Sequence, residues 1–99
     1  MKITETNIEF IKSKNGLIGF ASIVIDNALF LSSIAIHKKL TDDGYRLTYP
    51  TKQKADKNFN IYYPINKEAS KEIENAVFAK LKEVMNKANK NDRYNSIND

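Results

Sequence analysis

Residues 13–25 read Ser13-Lys14-Asn15-Gly16-Leu17-Ile18-Gly19-Phe20-Ala21-Ser22-Ile23-Val24-Ile25, a turn dipeptide followed by an apolar run. Asn-Gly supplies the two positive-φ positions of a type I′ turn, whose twist matches that of two antiparallel strands. The run from Leu17 to Ile25 is rich in β-branched residues and apolar on both faces, which fits a central strand covered on one side by a helix. Gly19 inside it marks either a bulge or a small residue beneath a bulky neighbour. Upstream, Ile8 and Phe10 alternate with Asn7, Glu9 and, one step on, Lys12, the period-2 pattern of a half-buried strand near residues 2–12. Downstream, Asp26-Asn27 favours a second tight turn, and Leu29 to Ile36 reads as a third strand.

Leu40-Thr41-Asp42-Asp43-Gly44 is a turn cluster, after which Tyr45, Leu47 and Tyr49 alternate with Arg46 and Thr48 as a fourth strand. Thr51 to Asn58 is polar and Lys-rich, an exposed loop on this reading. Phe59 to Tyr63 is a short fifth strand, stopped by Pro64, which has no N–H for the ladder. Asn66 is placed to cap a helix and Glu68 to meet the positive end of its dipole. Ile73, Val77, Leu81, Val84 and Ala88 recur at steps of three or four, an apolar stripe that predicts docking on one face of the sheet. The fold class expected is α+β: an antiparallel sheet of about five strands followed by a packed C-terminal helix. One domain spans residues 1–88, and the polar residues 89–99 are expected to fray.

A chain of 99 residues has room for one hydrophobic core, and 41% hydrophobic with 28% charged residues is ordinary globular usage. The absence of cysteine excludes disulfides, thiolate nucleophiles and cysteine-based zinc sites, and fits a reducing compartment. The N-terminus lacks the apolar core of a signal peptide, and no apolar run approaches the roughly 18 residues of a membrane span, so a cytoplasmic, membrane-free protein is expected.

The formal charge of +4 is concentrated centrally. Residues 1–37 balance. Residues 38–66 carry six basic side chains against Asp42, Asp43 and Asp56, and residues 67–99 carry seven against six. A localised basic patch suits a polyanion, because each neutralised phosphate releases counterions.

Chemistry finds little to work with. His37 is the only histidine, so a histidine-based zinc cluster is excluded within one chain, and an exposed residue at a strand end is its plainer reading. Asp42 and Asp43 sit where turns use aspartate for local hydrogen bonds. No nucleophile elbow surrounds Ser22, Ser32 or Ser33, and Gly16, Gly19 and Gly44 match no phosphate-cradling loop. Neither enzyme activity, cofactor nor small-molecule substrate is called for. Tyr45, Tyr49, Tyr62 and Tyr63 lie close to Lys52, Lys54 and Lys57 and could form a surface on which bases stack, or could pack against the helix with their hydroxyls at the rim.

Ala21-Ser22-Ile23-Val24-Ile25-Asp26-Asn27-Ala28-Leu29-Phe30-Leu31 resembles the ASI-x-hydrophobic-DN-x-hydrophobic stretch of the stage V sporulation protein G (SpoVG) family. Tyr49-Pro50-Thr51-Lys52 is similar to that family's MPSK block, and Asp56 and Phe59 keep the first and last residues of its DGEF. Pro64-Ile65-Asn66 matches HPIN, and Ile73-Glu74-Asn75-Ala76-Val77 resembles IQDAV. The matches are colinear over residues 2–85. The resemblance implies a cytoplasmic homodimer, formed partly by strand pairing, that binds DNA and in some members RNA and so modulates bacterial gene expression. Its contacts would fall to Lys52, Lys54 and Lys57 in the loop and Lys67 and Lys71 near the helix start. Its dimer edge would hold Phe59, Ile61, Tyr62 and Tyr63. The chain departs from the pattern at Gln53, Ser70, Glu72 and Ala35, where family members carry basic residues. With Arg46 and Arg93 its only arginines, lysine contact to phosphate is favoured over bidentate reading of bases. The alternative is a divergent paralogue that keeps the dimer as a protein-interaction module and has dropped nucleic-acid binding.

Overall fold

The computed structural model describes the backbone of residues 1–98 and the side chains through Lys87. Four strands, β1 (Ile3–Lys14), β2 (Leu17–Ile25), β3 (Leu29–Lys38) and β4 (Tyr45–Thr48), form an antiparallel sheet in the order β1-β2-β3-β4. β5 (Thr51–Lys54) and β6 (Lys57–Asn60) pair only with each other, and α1 (Lys67–Asn98) closes the chain. The antiparallel sheet followed by a C-terminal helix is the α+β arrangement expected from the sequence. The helix runs on past Asn89 to Asn98, and the fraying expected of residues 89–99 falls on a stretch whose side chains lie outside the described residues.

Turn chemistry sets the first two hairpins. Asn15 and Gly16 take φ of 53° and 89°, and Asp26 and Asn27 take 54° and 53°, the paired positive values of type I′ turns. The Ala28 N–H closes the second turn on the Ile25 carbonyl at 2.9 Å. β1 holds that turn in place: Asp26 N–H donates to the Lys2 carbonyl at 2.7 Å and Asn27 N–H to Thr4 Oγ1 at 3.1 Å.

Gly19 marks a bulge, the first of its sequence readings, and is kept small by the β1 backbone and not by a bulky side chain. The β2–β3 register shifts between Leu17 and Gly19, and a Cβ on Gly19 would lie 2.5 Å from the Glu9 carbonyl oxygen of β1. A second irregularity sits in β3, where Ser32 and Ser33 together oppose Ser22 and Ser33 adopts φ 67°. This bulge shifts the strand's phase by one residue, so that Leu31 before it and Ile34 and Ile36 after it all turn to the helix.

The core is one layer deep. Ala21 and Ile23 of β2, Ile34 and Ile36 of β3, and Ile73, Val77 and Leu81 of α1 are buried together. The helix docks through Ile73, Val77 and Leu81 of the expected stripe, with Phe78 and Met85 packed against the core, while the side chain of Ala88 lies outside the described residues. Asn66 caps it, with Oδ1 accepting the Ala69 N–H at 2.7 Å, as its position before an apolar stripe requires. Because α1 covers one face only, the residues that alternate with the core on β2 and β3 look outward, and Phe30 remains 63% exposed.

Two expectations are corrected. The stretch from Thr51 to Asn58 is no loop: it builds a hairpin with Ala55 and Asp56 at its tip. The fifth strand is not Phe59 to Tyr63 in the main sheet, because β6 ends at Asn60 and its only partner is β5. A polar sequence hides such a hairpin, since its ladder is satisfied without burying an apolar face. Among the described residues no helix is long and apolar enough to cross a membrane.

Candidate nucleic-acid interface

β5 and β6 pair in the register Thr51–Asn60, Lys52–Phe59, Gln53–Asn58 and Lys54–Lys57. Residues directly opposite in an antiparallel pair share a face, and side chains alternate along each strand. Lys52, Lys54, Lys57 and Phe59 therefore stand on one face, and the uncharged Thr51, Gln53, Asn58 and Asn60 on the other. All eight are exposed. None of the three lysines forms an ion pair among the described residues, where the only ion pairs join Glu83 to Lys80 and Lys87. Sequence spacing alone would scatter these lysines over a loop. Pairing collects them and sets the half-exposed Phe59 ring among them.

The hairpin is fastened at its base. Ile61 N–H donates to the Pro50 carbonyl at 2.8 Å, joining the chain on either side of the two strands. Tyr49 and Tyr62 meet edge to face with centroids 6.1 Å apart, and the Tyr62 hydroxyl donates to the Ser32 carbonyl at 2.6 Å. That bond reaches the β3 bulge and ties the hairpin to the sheet. Burial, and secondarily the neighbouring Tyr49, push the Tyr62 phenol up to about 12. Tyr49 is likewise raised, first by burial and then by the Glu74 carboxylate, and its hydroxyl is buried without a partner among the described residues.

Tyr45 packs inward too, its hydroxyl 3.7 Å from Met85 Sδ. Of the four tyrosines near the lysines, packing thus claims Tyr45, Tyr49 and Tyr62, and only Tyr63 is exposed. Ile61 is exposed beside it, so Phe59, Ile61 and Tyr63 offer apolar surface at the sequence-predicted dimer edge while Tyr62 is engaged within its own chain.

Lys67 and Lys71 stand exposed on the first turns of α1, each followed by a carboxylate, Glu68 and Glu72. The helix start is thus charge-balanced, whereas the hairpin sets three lysines against Asp56 alone. His37 lies on the sheet, its Nε2 2.9 Å from Thr48 Oγ1, and burial together with Arg46 lowers its pKa. Asp42 does the turn work expected of it, accepting the Gly44 N–H at 2.6 Å. No cluster of three or more metal-ligating side chains occurs among the described residues.

The chain matches the SpoVG family model over residues 1–83. It is 29% identical over 87 residues to the protein named "Putative septation protein SpoVG" of Phytoplasma australiense, covering 87% of this chain and 88% of that one. Its identity to the protein of the same name from Onion yellows phytoplasma (strain OY-M) is also 29%, over 86 residues, covering 86% of this chain and 85% of the other. The match takes in the sheet, the hairpin and the docked part of the helix, and by it the chain belongs to the SpoVG family.

Proposed function

We propose that this chain is a dimeric, cytoplasmic nucleic-acid-binding regulator of gene expression whose β5–β6 hairpin grips the phosphate backbone. One observation carries the reading: Lys52, Lys54, Lys57 and Phe59 share one face of an exposed hairpin whose lysines have no carboxylate partner among the described residues. Ammonium groups are point charges without the planar fork that matches guanine, so this face follows backbones and discriminates weakly among sequences. DNA and RNA both present that backbone. Lys67 and Lys71 add contacts next to the hairpin in sequence, offset by their neighbouring glutamates. The dimer is supported by the exposed Ile61 and Tyr63, which follow the hairpin and lie outside its lysine face, beside short strands with open edges, the kind of surface that invites pairing with a second copy.

Fluorescence titration of the purified protein with labelled DNA and RNA duplexes over a salt series tests the ligand, and light scattering tests the dimer. The reading expects affinity that falls steeply with salt and little with sequence, and a dimer at tens of micromolar. No binding at low salt would leave the interaction module as the better account.

A further inference from the structure

The face of the sheet opposite α1 is uncovered, and its composition is unlike that of a hidden core. Phe20 and Phe30 are exposed on it, 37% and 63% respectively, and they flank a hollow of about 400 Å³. Polar side chains line the hollow between the rings: Asn7, Ser22, Ser32 and Ser33, with the Glu9 carboxylate at its β1 side. Ser32 and Ser33, the two residues of the β3 bulge, both line this hollow. Further along the same face, Lys14, Leu17, His37 and Arg46 stand opposite one another on β1 to β4, a row that spans about 14 Å at ordinary strand spacing. Glu5 and Glu9 occupy the β1 margin, opposite Val24 and Phe20, and Arg46 stands across the sheet on β4, opposite His37.

We propose that this open face binds single-stranded nucleic acid, with Phe20 and Phe30 stacking unpaired bases and Arg46 holding a phosphate at the β4 margin. Exposed aromatic rings on an antiparallel sheet offer π-faces to splayed bases, and a paired duplex keeps its bases stacked and out of reach. The hollow between the rings suits base edges, which bring donors and acceptors to the serine hydroxyls and the Asn7 amide. A second copy packed on this face would bury those polar groups, with Glu9 and Arg46, against apolar rings, and each group left without a hydrogen bond would count against the complex. This surface has the same class of ligand as the hairpin but none of its residues, so the two stand or fall separately.

The test uses fluorescence anisotropy with labelled ten-nucleotide oligo-dT and oligo-U beside a duplex of equal length. The pair Phe20→Ala and Phe30→Ala should weaken single-strand binding at least tenfold, with duplex binding and the thermal melt retained. Arg46→Gln, which leaves both rings in place, should flatten the single-strand slope of log affinity against log salt by about 0.7. Lys52→Ala with Lys54→Ala should act chiefly on the duplex, so failure of the hairpin reading would appear in that arm alone. Wild-type protein that ignores single strands, or ring variants that bind them as well as wild type, would overturn the proposal. Ring variants that turn a dimer into a monomer would overturn it as well, by assigning the face to a second copy.

Discussion

The β2–β3 hairpin and the β5–β6 hairpin are both antiparallel pairs joined by short turns, yet they are held by opposite means. β2 and β3 place Ala21, Ile23, Ile34 and Ile36 beneath α1, while every strand residue of β5 and β6 is exposed. One hairpin is specified by what it buries. The other is specified by its own ladder and by a clamp of Tyr49, Tyr62 and the Ile61–Pro50 hydrogen bond at its base. The difference separates stability from binding: side chains on β5 and β6 can carry unpaired charge because the core does not need them.

The sharpest way to break this contrast is to damage the body. Leu81→Ala removes a buried side chain from the centre of the helix stripe and should cost about 2–5 kcal/mol, read as a large fall in melting temperature. Exposed Lys82→Ala, one residue on, should be nearly silent. Equal effects would mean that the helix docks through another face.

Gly19→Ala comes next. Its Cβ would meet the Glu9 carbonyl oxygen at 2.5 Å, and a backbone atom cannot move aside without shifting β1. A loss of about 1–3 kcal/mol is expected from overpacking of this kind. An unchanged melting temperature would show that β1 is free to yield.

The clamp joins the two regions and should have a smaller effect. Tyr62→Phe removes the bond to the Ser32 carbonyl and should cost about 0.5–1.5 kcal/mol, while loosening the hairpin's direction relative to the sheet. The pH dependence has a defined sign. A phenol raised from its ordinary value of 10.0 to about 12 in the folded chain favours its neutral form there. Its contribution is fully present below the unfolded value and is lost as pH rises through the folded one. Melting curves between pH 10 and 12 should show this decline in the wild type and a shallower one in Tyr62→Phe.

How much was legible follows the same division. The sheet and helix could be read because burial leaves periodicity: Asn15-Gly16 fixes a turn, Ile73, Val77 and Leu81 mark a face, and Asn66 stands where a cap is needed. The β3 bulge also left a trace, the one-residue slip between the pair Leu29, Leu31 and the pair Ile34, Ile36, which became readable only once Ser33 was found at positive φ. The β5–β6 hairpin left none. Thr51 to Asn60 is polar at nearly every position, and Ala55, the residue at φ 56° in its tip, is not a turn former. The lysines could be named in advance. Their shared face, and Phe59 upon it, depend on a pairing that no apolar alternation announces.

The central claim, that the hairpin's lysine face grips phosphates and contributes nothing to the core, is tested most directly by Lys52→Ala with Lys54→Ala. Duplex affinity should be measured across a salt series beside a thermal melt. The melting temperature should be unchanged, every duplex should be weakened by a similar factor, and the slope of log affinity against log salt should flatten by about one to two. Unaltered affinity and slope would contradict the claim and move the phosphate contacts off β5 and β6.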